Sequence, residues 1–149
     1  MALLSPSDQQ ILRDEFATMT RPVRLLLFMQ TIGCETCPQT RQILDELPVL
    51  SDKIAIEEIN LVLDPERARQ FGVDRVPAIA VEYEDADVPG GLTDSGIRFL
   101  GTPAGYEFIS LVQAVLLAGG RAPRLSEASQ RRLAAVDRSM TLQVFTTPT

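Results

Sequence analysis

Seven residues near the start of the chain, VRLLLFM at positions 23–29, form a nearly continuous apolar run that follows Pro22. A run of this length is typical of a strand, and a strand whose apolar side chains do not alternate with polar ones is buried on both faces. Such a strand needs other elements packed above and below it, and helices commonly fill that role. This one segment therefore predicts a layered α/β fold around a central sheet.

The sequence on either side supplies the elements that such a sheet requires. Ser7 and Gln10 are expected to cap the first helix, and Thr102 with Pro103 is expected to open a later one. The expected order is helix 7–19, strand 23–29, helix 35–47, strand 54–62, helix 64–72, strand 78–83, strand 96–100 and a helix that ends at Gly119. A long exposed loop is expected at 84–95. This order predicts a mixed sheet of about four strands, with helices on both faces and an extra N-terminal helix.

The C-terminal segment is expected to lie outside this first domain. We predict a domain over residues 1–120, a linker with a basic helix over 121–140, and the opening strand of a truncated second unit of the same fold over 141–149. The last assignment rests on the likeness between LLFMQT at 26–31 and LQVFTT at 142–147, both of which are apolar strand candidates that run into threonines. Such an unpaired apolar strand is expected to pair with a partner, for example in a homodimer.

Composition narrows the classes of partner. The net charge of −6 argues against nucleic acid, although residues 121–149 alone carry five basic and two acidic side chains. No apolar run approaches the ~20 residues of a membrane-spanning helix. The first ten residues, MALLSPSDQQ, show no basic leader and no sustained hydrophobic region. We therefore expect a cytoplasmic protein with neither a nucleic-acid nor a membrane partner.

The two cysteines of the chain, Cys34 and Cys37, follow the central strand directly in the stretch TIGCETCPQT. A closed zinc site needs four ligands, so two thiolates in a chain without histidine would require a second chain. A structural disulfide over three positions would add little stability, and two inert buried thiols are a further alternative. The fourth alternative is a redox pair. A C-x-x-C motif after a strand in a βαβ unit favours it, with Cys34 as the nucleophile at a helix N-terminus.

Three further positions bear on such a site. Glu35, beside Cys34, opposes ionisation of that thiol, which predicts a weaker oxidant and favours reductase or general exchange activity. Val76-Pro77 precedes the third strand, where a proline is compatible with a purely structural role, but the fold order places it facing the cysteine pair. The backbone of Val76 could then pair with an extended substrate. Glu57 or Glu58 could relay protons, since strand alternation lets only one of them face inward.

The sequences Cys34-Glu35-Thr36-Cys37-Pro38, Val76-Pro77-Ala78 and the later Gly101 together resemble the thioredoxin superfamily. More narrowly, the chain is similar to the N-terminal unit of the tandem thioredoxin-fold protein disulfide oxidoreductases, also called glutaredoxin-like domain proteins. The similarity covers residues 7–120. The flavin-linked peroxide reductases carry a similar double unit, but their active cysteines lie in the second half, whereas this chain has its pair in the first.

The resemblance implies thiol–disulfide exchange with protein substrates, in which Cys34 attacks, Cys37 resolves and Pro77 is in the cis form. It also implies substrate contacts at Gly33, Glu35, Val76 and Pro77, no bound cofactor or metal, and electrons from a thioredoxin-reductase-like donor. Two alternatives stay open. One is a glutathione-dependent glutaredoxin, and the other is a redox-inactive docking or scaffold half of a tandem protein.

Overall fold

In the computed structural model, residues 3–88 and 91–147 are described. The elements along the chain are α1 (Pro6–Ala17), β1 (Val23–Met29), α2 (Cys37–Asp45), β2 (Ile54–Asn60), α3 (Pro65–Gln70), β3 (Ala78–Glu84), β4 (Leu92–Leu100), α4 (Tyr106–Ala118) and α5 (Glu127–Ala134). The four strands form one sheet in the order β2-β1-β3-β4. The α/β class, the mixed four-stranded sheet and the extra N-terminal helix are confirmed.

Strand β1 is the centre of the sheet. It pairs in parallel with β2 and antiparallel with β3, while β4 adds antiparallel to the far side of β3. The four consecutive residues 25–28 have no exposed surface at all, so the strand is buried on both faces as its unbroken apolar sequence predicts.

Helices cover both faces of the sheet, but unequally. Phe16 of α1, Leu44 of α2 and Leu111 of α4 join one large apolar cluster with Leu25 and Leu27 of β1. On the opposite face a smaller cluster joins α3 to the alternate side chains of β1. Because α2 leaves the sheet directly after β1, its first turn lies at the carboxyl end of the central strand, and this places the cysteine segment at one edge of the sheet.

The N-terminal cap of α1 differs from the prediction. The helix begins at Pro6, and the hydroxyl of Ser5, rather than that of Ser7, accepts a hydrogen bond from the N–H of Asp8 at 3.2 Å. The physical reason is Pro6, whose fixed φ and missing N–H suit the first helical position and move the cap one residue before it. Gln10 accordingly takes no part in a capping box and donates to Asp14 instead.

Strand β4 is longer than predicted, and the loop before it is shorter. The strand begins at Leu92 instead of residue 96, so the expected loop at 84–95 shrinks to the segment between Glu84 and Leu92, in which Pro89 and Gly90 lie outside the described residues. A register irregularity between Ala80 and Glu82 lets the turn-forming residues near Gly96 stay within the strand.

The helices after β4 also differ in their bounds. Thr102 does not cap α4, because the helix begins at Tyr106 with Gly105 as its N-cap. The basic helix expected within 121–140 is α5, which covers only Glu127–Ala134 and contains no buried residue. Residues 141–147 are exposed and form no strand, while Pro148 and Thr149 lie outside the described part; the second unit stays a prediction. No helix among the described residues is long and apolar enough to cross a membrane.

Because β1 is buried on both faces, replacing one of its leucines should destabilise the fold far more than replacing an exposed leucine. Leu27→Ala should lower the free energy of unfolding by about 2–5 kcal/mol, because it leaves a cavity at a fully buried site. Leu63→Ala is the matched control, since that side chain is 82% exposed, and it should change stability by less than about 0.5 kcal/mol. Urea unfolding followed by circular dichroism measures both, and equal effects would contradict the assignment of the core.

Candidate active site

Cys34 and Cys37 are joined by a disulfide, with their Cα atoms 5.5 Å apart. The two sulfur-bearing residues differ in accessibility. Cys37 is fully buried, whereas Cys34 is partly exposed. A molecule approaching from solvent therefore reaches Cys34 first. This asymmetry agrees with the assignment of Cys34 as the attacking residue.

Helix α2 begins two residues later than predicted. Its first residue is Cys37, its N-cap is Thr36, and Cys34 lies in the turn that precedes the helix. Thr36 makes no side-chain capping bond, and Pro38 has no N–H, so the free N–H groups of the first turn belong to Cys37 and Gln39. These groups give the start of α2 its partial positive charge, which favours an anionic sulfur close to it.

The backbone immediately before Cys34 strongly favours glycine. Gly33 adopts φ +79°, a conformation that side-chain-bearing residues rarely accept. A Cβ at this position would also lie 3.3 Å from Nε2 of Gln30. The sharp turn from β1 into the cysteine motif therefore depends on this residue.

Pro77 lies at the same edge of the sheet as the cysteine motif. The Val76–Pro77 peptide bond is cis, as the resemblance implies. Antiparallel pairing places Ala78 opposite Phe28, so the residues before β3 lie beside the end of β1, where the chain turns toward Cys34. Pro77 is buried, and its carbonyl accepts a hydrogen bond from the N–H of Gly101 at 2.9 Å. Three loops thus meet at this edge.

Two of the predicted site residues, Val76 and Glu35, have polar groups that are available near Cys34. Neither the N–H nor the carbonyl of Val76 makes a hydrogen bond to another backbone group of the described residues. The side chain of Glu35 is exposed beside Cys34.

The structure decides the directions of Glu57 and Glu58, and both carboxylates are paired with arginine. Glu57 points to the face covered by α3, where it binds Arg24 at 2.8 Å and Arg67 at 3.2 Å. Glu58 points to the opposite face and pairs with Arg41 of α2. Each is held in the middle of β2 by these pairs, so neither offers a free carboxylate to the cysteines.

Sequence reasoning missed the most buried carboxyl group of the described residues, Glu82. This side chain of β3 is 6% exposed, and its Oε2 has no hydrogen-bond partner within residues 3–88 and 91–147. Burial raises the pKa of Glu82, and the nearby carboxylates of Glu57 and Asp94 add to the rise against the opposing effect of Arg24 and Arg67. Its register partner is Arg24, near the beginning of β1, so it lies toward the end of the sheet away from the cysteines.

Comparison with known proteins assigns the chain to a family and agrees with this geometry. A disulfide before a helix, beside a cis-proline at the edge of a mixed sheet, is the arrangement of a thioredoxin-like protein. The probable thioredoxin of Methanothermobacter thermautotrophicus is 30% identical over 80 residues, which cover 53% of this chain and 80% of that protein. The chain therefore belongs to the thioredoxin family. Comparison with protein-family models gave no match.

Longer relatives and solved structures agree with this assignment. The NADH dehydrogenase of Ferdinandcohnia aciditolerans is 39% identical over 85 residues, 57% of this chain, but the chain spans only 13% of that protein. The N-terminal domain of alkyl hydroperoxide reductase AhpF from Enterococcus faecalis superposes with a TM-score of 0.77 at 28% identity, covering 91% of this chain and 62% of that one. A protein disulfide oxidoreductase from Aeropyrum pernix shares the fold, with a TM-score of 0.72, 24% identity and coverage of 88% and 54%.

The buried carboxyl of Glu82 generates a prediction about stability and pH. Because the pKa of Glu82 is higher in the folded than in the unfolded state, this carboxyl stabilises the fold at a pH below its ordinary pKa. The contribution is lost as the pH rises through the raised pKa of the folded state. The effect of Glu82→Gln on the free energy of unfolding should therefore be more favourable at pH 7 than at pH 4. The difference between the two pH values should be on the order of 1 kcal/mol.

Urea unfolding at both pH values measures this difference. Glu84→Gln, on the same strand but exposed, is the matched control and should show no such trend. A Glu82→Gln variant that loses stability equally at both pH values would show that the ionised carboxylate is not destabilising.

Proposed function

We propose that this chain is a thiol–disulfide oxidoreductase that exchanges disulfides with protein substrates through Cys34 and Cys37. The observation that carries the proposal is the disulfide itself, with one accessible and one buried partner at the sheet edge that also holds the cis-proline. Family membership supports the same chemistry, since a probable thioredoxin is among the relatives.

The exchange balances in two steps. In the reduced chain, the thiolate of Cys34 attacks one sulfur of a substrate disulfide, and that bond breaks to leave a substrate thiolate and a mixed disulfide on Cys34. Cys37 then attacks the sulfur of Cys34, which releases the second substrate thiolate and leaves the Cys34–Cys37 disulfide. The substrate gains two electrons and two protons, and the chain becomes oxidised. A dithiol donor must then return two electrons.

Substrate binding is proposed to use the backbone beside the disulfide. An extended segment crossing Cys34 would find the N–H and carbonyl of Val76 unpaired by other backbone groups, so it could add to this edge as a short strand. Gly33 and Pro77 would leave room for the segment, and Glu35 would face its side chains. Hydrogen bonds to the backbone bind many sequences, and this suits a broad range of protein substrates.

The electron donor is proposed to be a flavoprotein reductase of the thioredoxin-reductase kind. Among the chain's relatives are a NADH dehydrogenase and alkyl hydroperoxide reductase subunits, and the chain matches about an eighth to a fifth of their length. Such relatives carry a segment like this one within a much longer protein. The same donor could therefore act in trans or in one continuous chain. A cytoplasmic location is part of this proposal and rests on the sequence.

The charges near the disulfide disfavour the glutaredoxin alternative. The loops at 30–36 and 72–77 carry Glu35, Asp74 and Arg75 as their charged side chains. Arg75 hydrogen-bonds Asp74 and lowers the pKa of that carboxyl, so the positive charge of Arg75 is already neutralised by Asp74. Glutathione, with its two carboxylates, would meet a net negative surface. The docking alternative is decided by whether the cysteines exchange at all.

Two cysteine variants test the proposal. With excess dithiothreitol as the donor and insulin as the disulfide substrate, Cys34→Ser should reduce turnover by at least about a hundredfold, because it removes the nucleophile. In a separate reaction without dithiothreitol, the pre-reduced Cys37→Ser variant should accumulate a mixed disulfide between Cys34 and the substrate, because the resolving group is gone. Mass spectrometry under non-reducing conditions identifies that species.

Each variant serves as the control of the other, since both remove one thiol and both can be checked for folding by circular dichroism. Absence of turnover in the folded wild-type chain would favour the docking alternative. Turnover with glutathione as the sole donor, at the rate seen with dithiothreitol, would favour the glutaredoxin alternative instead.

A homodimer through the C-terminal strand is a further part of the proposal. Leu142, Val144 and Phe145 are 84–90% exposed, an arrangement that favours pairing with a second copy. Size exclusion across a hundredfold range of concentration should show a dimer that Val144→Lys weakens by about tenfold or more, whereas Gln143→Lys should have a smaller effect. A wild-type chain that stays monomeric at every concentration would exclude the dimer.

A further inference from the structure

Two threonines outside the cysteine motif connect the loops of the active site. We infer that Thr102 and Thr40 form a hydroxyl chain that positions the first turn of α2 and thereby sets the reactivity of Cys34. They are positioning residues, since neither takes part in the exchange step itself. The inference rests on the proposed exchange activity for its biological meaning, but its test uses measurements that do not require a protein substrate.

The hydrogen bonds fix the direction of this chain. Oγ1 of Thr40 lies 2.9 Å from the carbonyl oxygen of Thr36 and 2.8 Å from Oγ1 of Thr102. A carbonyl can only accept, so Thr40 donates its single proton to Thr36. Thr102 must then donate to Thr40. The chain therefore runs from the Thr102 hydroxyl, through the Thr40 hydroxyl, to the Thr36 carbonyl.

The position of Thr40 indicates a role beyond packing. Its side chain is polar but has no exposed surface. A buried hydroxyl without a partner would be unfavourable, whereas here both of its bonds are made within one network. The two threonines are 62 residues apart in sequence, so the contact joins helix α2 to the distant loop between β4 and α4.

The chain ends on the peptide group that begins α2. The Thr36 carbonyl accepts from both the N–H and the hydroxyl of Thr40, and the same peptide carries the N–H of Cys37. Hydrogen bonds to a peptide carbonyl polarise its N–H, and linked bonds strengthen one another. This N–H belongs to the positive start of α2, which favours a thiolate at Cys34. Loss of the chain should therefore make the thiolate less favourable.

The other end of the chain lies next to the cis-proline loop. Gly101, the neighbour of Thr102, donates its N–H to the Pro77 carbonyl at 2.9 Å. The three loops that carry Cys34, Pro77 and Gly101 are thus joined through one short series of hydrogen bonds. A substitution at Thr102 should therefore affect the disulfide through α2, and it should affect Pro77 through Gly101.

The experiment removes each hydroxyl with little change of shape. Thr102→Val and Thr40→Val should raise the pH midpoint of Cys34 alkylation by iodoacetamide in the reduced full chain, and the rate at pH 7 should fall about three- to tenfold. Mass spectrometry assigns the alkylated residue. Thr102→Ser and Thr40→Ser keep the hydroxyl and should stay within about twofold of the wild type. The double valine variant should fall no further than Thr40→Val, because that change alone already removes both hydrogen bonds of the chain.

Thr18→Val is the matched control. Its hydroxyl also donates to a backbone carbonyl, that of Glu15 at 2.7 Å, but at the end of α1. This variant should leave the alkylation profile unchanged. Thr102 is partly exposed, so its valine variant provides the test even if Thr40→Val fails to fold.

Two outcomes would overturn the inference. In the first, folded valine variants lose stability but keep the wild-type alkylation profile, which would leave the threonines a purely structural role. In the second, the serine variants shift the profile as far as the valine variants, which would exclude the hydroxyl as the cause. If the midpoint shifts as expected but the wild type does not reduce insulin, the proposed function fails and this inference stands.

Discussion

The burial of β1 on both faces is the constraint on which the rest of the structure depends. Four consecutive side chains at 25–28 have no exposed surface, so the chain must place helices above and below one strand. The larger apolar cluster does this with α1, α2 and α4, and the smaller one does it with α3. Because the strand runs directly into the cysteine motif, the packing that buries β1 also fixes where Cys34 emerges from the sheet.

The active site is assembled from loops that are far apart in sequence but adjacent at one edge of the sheet. Parallel pairing of β1 with β2 and antiparallel pairing with β3 bring the end of one strand beside the beginning of another. Hydrogen bonds then join the loops, through the carbonyl of Pro77 on one side and the hydroxyl of Thr40 on the other. The core therefore determines the position of the site, and a few polar contacts determine its local geometry.

Local sequence signals were sufficient where burial or proline chemistry decides the outcome. Strand β1 has the predicted bounds because an unbroken apolar run has one way to be buried. Helix α3 begins at the start of its predicted range, where the Asp64 side chain accepts a hydrogen bond from the N–H of Arg67. The predicted cap of α1 at Ser7 was wrong because Pro6 favours the first helical position and moves the cap to Ser5. The bond between Thr40 and Thr102 and the burial of Glu82 could not be predicted, because both depend on which distant residues the sheet brings together.

The difference in burial between the two cysteines fixes the order of events in the proposed exchange. In the proposed exchange, the mixed disulfide would form on the partly exposed Cys34, and the fully buried Cys37 would resolve it within the molecule. Resolution also requires that Cys37 lose its proton. Glu57 and Glu58 are engaged by arginines, and Glu82 lies toward the far end of the sheet. We therefore expect the departing substrate thiolate, which needs a proton itself, to receive the one that Cys37 loses.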